Sequence, residues 1–451
     1  MNRTDQVDEK NCLVFLPILL NLPATIGQTT VKRIAAAIVL KPAYFLSAKL
    51  PGYVKRMVLF TALLLLFSAE ILRAYFLMPF PGSQVSNTVS YAYWLDQSIV
   101  WIRILALVLA CFALFAAFKN GRTWAKILLP LILVSYGVLF FAFNFRLQAD
   151  KIFYPPVNKS FSFASDSDMD KSKLVIGVMI DGQAKAYPIQ LIGYHHQVMD
   201  TVGKTPVMIT YCTVCRSARV FSPMVNGKQE TFRLVGMDHF NAIFEDATTK
   251  SWWQQATGRA IMGPLKGYVL KELPSSQMTM DVWLRQYPNS LVMKPDTTFM
   301  NNYFGLEDYD KGTMRSGLVR RDLASWQHNS WIVAVMATNS SKAYDWNELL
   351  QRKIIQDSLG RLPILLTIEN DSASFHVYDR RVDDSTLSFQ IAGNKDLLVD
   401  DETHSSWNMD GVCIHGLLIG KKLQPVQSYN EFWHTWQTFH KNAKILLVDR
   451  Y

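Results

Sequence analysis

Cysteine is scarce in this chain: five in 451 residues, at positions 12, 111, 212, 215 and 413. Only one pair stands close together, Cys212-Thr213-Val214-Cys215. The absence of a second C-x-x-C excludes a full zinc ribbon, which needs two such pairs. Beyond Ala149 no long apolar run occurs, so that part reads as soluble. The stretch Pro81–Gln97 has no Lys or Arg. No Arg/Lys stripe with interleaved aromatics is present, so the net charge of +9 is not read as nucleic-acid binding. A clean basic start is also missing. Asp5, Asp8 and Glu9 stand where a secretory signal carries positive charge.

What is present explains both the charge and the mean hydropathy of +0.07. Three apolar stretches, about 57–77, 98–118 and 127–145, are each close to the 20 residues a bilayer span needs. Lys32, Arg33, Lys41, Lys49, Lys55 and Arg56 precede the first, and Lys119, Arg122 and Lys126 separate the second from the third. Basic loops stay inside, which puts the N-terminus inside and residues 150–451 outside the cytoplasm. The expected location is the inner (cytoplasmic) membrane, with the C-terminal part in the periplasm or extracellular space. Membrane lipid is one partner, an exported protein a second candidate. Residues 1–55 read as a cytoplasmic or interfacial segment. Cys12–Ile26 is apolar but short, and Pro17 and Pro23 break it. Glu70, Arg73 and Arg103 are the charges within the first two stretches, and Glu70 and Arg103 fall at similar depth, about 20–25 Å from the inner face at 1.5 Å per residue. An intramembrane ion pair is expected there, with a polar pathway or outer-leaflet pocket as the alternative.

The exported part contains itself twice. Val178-Met179, Lys185-Ala186-Tyr187, Gly203, Pro206 and Thr210 recur as Val335-Met336, Lys342-Ala343-Tyr344, Gly360, Pro363 and Thr367, each 157 positions on (335 − 178 = 157). Asp246, Thr249, Ser251 and Trp253 match Asp400, Thr403, Ser405 and Trp407 at 154. Gly258, Gly263, Gly267, Leu270 and Trp283 match Gly411, Gly416, Gly420, Leu423 and Trp436 at 153. A fixed offset drifting by small indels marks duplication. The expected fold is a membrane protein with about three N-terminal transmembrane helices within 56–149. Two duplicated, strand-rich α+β domains follow, a first repeat at 155–295 and a second, degenerate repeat at 328–451, with a linker at 296–327. Leu174–Ile180, Pro206–Tyr211, Ala218–Phe221 and Thr231–Val235 read as strands. Helices are expected after Tyr187 and near Met280–Tyr287.

The copies differ at the chemistry. Where the first has Tyr211-Cys212-Thr213-Val214-Cys215, the matching stretch of the second is Ile368-Glu369-Asn370-Asp371, with no Cys, and His195-His196 becomes Arg352-Lys353. Joint loss suggests that Cys212, Cys215 and His195 or His196 form one site, present once. Two thiolates with imidazole suit zinc or copper, and thioether ligands would favour Cu(I). A small disulfide and a thiol–disulfide exchange pair, with Cys212 and Cys215 as the redox residues, are the other two readings. Arg216 after Cys215 removes c-type haem. The Asp-x-x-Thr-x-Ser-x-Trp element, present in both copies, reads as a turn tied by hydroxyls around a buried Trp.

The pattern Ala186-Tyr187-Pro188, His195, Asp200, Gly203, Pro206, Tyr211-Cys212-x-x-Cys215, Asp246, Thr249, Ser251, Trp253, Gly258 and Gly263-Pro264 resembles family 3179 of domains of unknown function. These are uncharacterised, often exported prokaryotic proteins. The resemblance covers 155–295 well, the second copy more weakly, and the membrane segment not at all. The family's usual knuckle is Y-C-P-L-C-G, so Thr213 replaces its Pro and Arg216 its Gly. Its usual W-H-E is here Tyr194-His195-His196. The resemblance implies no particular activity, and whether the chain is an enzyme is left to the site.

Overall fold

The apolar stretches become helices in the computed structural model, which describes residues 51–440 except 121–122, 167–168, 338–339 and 394–396, and also 444–445. The expected interfacial segment therefore lies outside the described residues, apart from 51–55. Residues 1–152 and 153–451 form two compact units.

In the first unit, α1 (Gly52–Leu77), α2 (Val89–Asn120) and α3 (Thr123–Phe145) are all long and apolar enough to cross a membrane. Helix α2 contains the expected 98–118 and begins nine residues before it (98 − 89 = 9). Asp96, on that added part, is met by Arg73 Nε at 2.7 Å. Arg103 grips Glu70 with two bonds, Nε to Oε1 at 2.7 Å and Nη2 to Oε2 at 2.9 Å. Asn144 of α3 donates to Glu70 Oε2 and accepts from both Arg103 and Arg73. Glu70 is 1% and Arg103 3% exposed, so each charge is buried against its partner. The expected ion pair is present, and it ties all three helices together.

The second unit is a set of small sheets. In its first half run β1 (Leu174–Ile180), β2 (Gln183–Pro188), α4 (Ile189–His195), β3 (Gln197–Val202), β4 (Thr205–Cys212), β5 (Ser217–Phe221), β6 (Phe232–Asp238), β7 (Asn241–Asp246), β8 (Trp252–Gln254), β9 (Ala260–Met262), β10 (Ser276–Thr279) and α5 (Met280–Gln286). Asp181-Gly182, both at positive φ, closes the β1–β2 hairpin, as a two-residue turn in a twisted ladder requires. Gly177 in β1 has a separate reason. A Cβ there would sit 2.2 Å from the Trp283 ring, so only glycine admits that indole.

The same order returns in the second half: β11 (Trp331–Ala337), β12 (Ser340–Asp345), α6 (Trp346–Arg352), β13 (Ile354–Leu359), β14 (Leu362–Ile368), β15 (Phe375–Asp379), β16 (Phe389–Ile391), β17 (Leu397–Asp400), β18 (Ser406–Asn408), β19 (Cys413–His415), β20 (Ser428–Phe432) and α7 (Trp433–Phe439). Sheet orders correspond too. β10-β1-β2 is matched by β20-β11-β12, β3-β4-β5 by β13-β14-β15, and β6-β7-β8-β9 by β16-β17-β18-β19. Side chains repeat with them. Trp253 Nε1 donates to Asp246 Oδ2 at 2.8 Å, and Trp407 Nε1 to Asp400 Oδ2 at 2.8 Å. Each Asp also holds its Thr, and each Thr meets its Ser at 2.7 Å. Lys185 and Tyr187 converge on Asp200, as Lys342 and Tyr344 converge on Asp357.

The polar linker is less loop-like than its composition suggests. A short helix forms at Met300–Phe304. Phe299, Tyr303 and Tyr309 are buried in the first half's core, beside Tyr194 and Tyr211. Polar composition hid three aromatic anchors.

Candidate functional site

The knuckle begins where β4 ends. Tyr211 and Cys212 are the last buried residues of an apolar strand, and β5 returns at Ser217 opposite Cys212. Between them the chain turns on two backbone bonds, Cys215 N to Cys212 O and Arg216 N to Thr213 O. Arg216 takes φ 54, the left-handed conformation that suits the Gly of the resembled pattern. Its long side chain has a compensating use. The guanidinium lies 3.7 Å from the centre of the Trp331 ring and donates to Asn430. Both partners belong to the second half.

The two thiols face one oxygen. Cys212 Sγ donates to Phe240 O at 3.4 Å and Cys215 Sγ to the same atom at 3.3 Å. Asn241 Nδ2 donates to Cys215 Sγ at 3.3 Å and to Gln255 Oε1 at 3.0 Å. Ala256 N donates to Asn241 Oδ1, which fixes which way the carboxamide points. Gln255 in turn donates to Thr210 Oγ1 and accepts from Ser217 Oγ. Cys212 is 1% and Cys215 0% exposed, and both are free thiols. Burial pushes the Cys215 thiol well up, and the neighbouring Cys212 adds to the rise. A buried thiolate has little water to solvate it, so the protonated form wins.

The second half covers this knuckle. Phe432 N donates to Cys215 O at 3.0 Å, and His434 Nε2 donates to Val214 O at 3.0 Å. His434 stacks on His328, ring centres 4.2 Å apart, and burial beside that second imidazole lowers its pKa to about 4. Arg219 of β5 pairs with Glu431 at 2.5 Å, both buried, and lies 3.3 Å from the centre of the Tyr429 ring.

His195 and His196 are placed by other partners. His195 Nδ1 meets Tyr154 O at 2.5 Å and Nε2 meets the Tyr303 hydroxyl at 2.6 Å, so both ring nitrogens are engaged. His196 is the C-cap of α4 at φ 60, with its Nδ1 against Tyr194 O and its ring against Phe153. Lys353 caps α6 at φ 66 in the same way. Among the described residues, the group of three His, Cys, Asp or Glu ligand atoms within 4.8 Å of one another is Glu369, His376 and Asp410. Neither histidine therefore joins the two sulfurs at that distance. The joint absence of thiols and imidazoles from the second half has separate causes. His195 serves tyrosines of the flanking segments, and His196 serves a helix end that lysine closes equally well.

Glu369 itself stands at the position of Cys212 (369 − 212 = 157). Its cluster is already filled by a cation. Arg285 of α5 donates to both Glu369 oxygens and to both Asp410 oxygens. A guanidinium between the carboxylates leaves an ion-pair cluster and not a cation site.

The sequence reading missed Phe240, Asn241 and Gln255. A signal existed for the first two. Asp238-His239-Phe240-Asn241 joins two strands through a two-residue tip, and Asn beside such a tip marks the turn. A backbone carbonyl as the thiols' acceptor leaves no trace in residue identity.

A profile of the family described as protein of unknown function (DUF3179) matches residues 152–443. The chain belongs to that family. No curated protein matches it. No solved structure matches it either.

Proposed function

We propose that this is a membrane-anchored extracytoplasmic protein whose Cys212 and Cys215 together hold one soft metal ion, Cu(I) before zinc. The observation that carries the reading is the convergence of both sulfurs on Phe240 O. Two thiols aimed at one point are the minimum that a soft ion asks of a protein. Zinc takes four ligands, and no imidazole or carboxylate makes a third within the described cluster distance. A cuprous ion is satisfied by two thiolates. Binding supplies the drive to remove the Cys215 proton that burial otherwise retains, because a coordinating thiol is deprotonated outright. Neither His195 nor His196 enters this reading, since their rings are engaged elsewhere.

The rest of the proposal concerns architecture. Helices α1 to α3 are read as spans in the inner membrane, with 153–451 on the outer side, from the basic loops. The two halves are read as copies of one ancestral unit, supported by matching sheet orders and matching Asp–Thr–Ser–Trp networks. The second copy has lost the thiols and now covers those of the first.

A structural disulfide is the second reading, favoured by the burial of both sulfurs and by an oxidising compartment. Thiol exchange with a protein substrate is disfavoured, because reactive cysteines are partly exposed with lowered pKa. The test is metal analysis of the full chain in detergent, purified reduced and without a metal-binding tag. One copper per chain is expected after Cu(I) loading, lost in Cys212→Ser and in Cys215→Ser and retained in His195→Ala. No bound metal, with two thiols missing from a titration of the unreduced denatured chain, would replace the metal site by the disulfide.

A further inference from the structure

The oxygen that receives both thiols belongs to an unusual turn. Strands β6 and β7 are joined by a two-residue tip, with Asp238 opposite Asn241. In the type I′ form of such a tip both central residues take positive φ, which is why Asn-Gly is favoured there. Here the residues are His239 at φ 49 and Phe240 at φ 65. Neither is glycine. Side chains in this conformation persist only where the surroundings hold them, and they cluster at switch regions and ligand clamps.

The surroundings are on both sides. On one side the two S–H groups hold the Phe240 carbonyl. On the other, the Phe240 ring meets His434 edge-on at 6.0 Å and His328 at 6.3 Å. His434 also donates to Val214 O, inside the knuckle. Its neighbour Phe432 donates to Cys215 O. So sulfur protons, the strained tip and the start of α7 form one contiguous chain of contacts.

A thiol can donate to Phe240 O only while it keeps its proton. When a soft cation binds, two S–H bonds break, two sulfur–metal bonds form and two protons leave to solvent. No electron is transferred. Both hydrogen bonds to the carbonyl vanish in that step, whatever else the atom touches. We propose that the His239–Phe240 tip is a sensor of the dithiol's occupancy, released when a bound soft cation replaces the two hydrogen bonds to Phe240 O, and that its release loosens the docking of α7 on the knuckle. The inference rests on the reading of Cys212 and Cys215 as the ligand pair and adds what the second half does with it. The covering half is thereby a reporter of occupancy, and its exposed surface differs between empty and loaded protein.

The experiment is amide hydrogen exchange on the full chain in detergent, with silver(I) alone as a redox-inert soft probe. Silver stoichiometry is measured on the same sample. Loading is expected to speed exchange at least tenfold at 238–242 and at 432–437, with little change in β11 to β13. The double variant Cys212→Ala/Cys215→Ala removes both donors and should show the fast pattern without silver. Cys212→Ser/Cys215→Ser keeps two O–H donors and should show the slow pattern with or without it. Bound silver with unchanged exchange at the tip would overturn the proposal, as would alanine and serine pairs that exchange alike. Should silver fail to bind, the metal reading fails, while the alanine–serine contrast still decides the sensor. If the alanine pair does not fold, the single variants Cys212→Ala and Cys215→Ala carry the same contrast.

Discussion

Thr210 and Thr367 occupy matching places on matching strands, and both are fully buried. Thr210 Oγ1 donates to Arg219 O and accepts from Gln255 Nε2. Thr367 Oγ1 finds no partner among the described residues. The same residue is thus part of a hydrogen-bonded set in one half and an orphan in the other. The difference lies in what each half was built around. In the first, Thr210, Ser217, Gln255 and Asn241 lead to a sulfur. In the second, Met409 stands where Gln255 stood (409 − 255 = 154), and an ion-pair cluster replaces the thiols. Frame residues such as the two Asp–Trp pairs are unchanged between halves. Site residues changed together. Frame and site therefore vary independently in this fold.

The largest test of the shared frame is removal of its tryptophans. Trp253→Ala and Trp407→Ala should each lower unfolding free energy by about 3–5 kcal/mol, since both indoles are buried and bonded to an Asp. Chemical denaturation of the two variants measures this. One large and one negligible loss would end the equivalence of the halves.

Acid should act on the side where the halves meet. His434 sits neutral against Val214 O and the stacked His328, with its pKa lowered from 6.5 to about 4. The unfolded chain then binds this proton more readily than the folded one. The contribution of His434 is therefore complete above about pH 6.5, declines as pH falls towards 4 and is flat below. A loss on the order of 3 kcal/mol is expected across that window. Denaturation midpoints between pH 7 and 4 should show it. His434→Gln should flatten the profile, and an unchanged slope would contradict the placement.

Asn241→Ala comes next. It leaves Ala256 N without its acceptor and takes one donor each from Gln255 Oε1 and Cys215 Sγ, at a cost of about 1–3 kcal/mol. The smallest effect is the most discriminating. Thr210→Val should cost about 1 kcal/mol, whereas Thr367→Val should be neutral or stabilising, because a partnerless buried hydroxyl gives nothing back for its desolvation. Equal costs at the two sites would erase the contrast.

Much of the frame was legible in the sequence. Alternation and apolar runs give the strands at 174–180 and 206–211, and the offset of 157 positions gives the correspondence of the halves. The pair Glu70–Arg103 could be read from its spacing to the flanking basic residues, although Asp96 and Asn144, its neighbours in the network, could not. The site was half legible. Cys212 and Cys215 announced themselves by type and spacing. His195 and His196 were grouped with them because all four vanish together, yet co-absence carries no distance. The partners the sulfurs do have are a main-chain oxygen and an amide on a distant hairpin. Nothing in residue identity marks the first, and only the fold brings the second near.

Arg219 carries a last consequence. Its guanidinium is buried in the first half, and the carboxylate that neutralises it, Glu431, is buried in the second. The first half by itself would keep only the looser Glu272 contact at 3.7 Å, and the second would bury Glu431 with no cation beside it; an unpaired buried charge costs several kcal/mol. Despite the repeated plan, the region 153–451 is thus indivisible. A cut near residue 310 would yield two pieces that each need the other to fold, and they should recover solubility only when produced together.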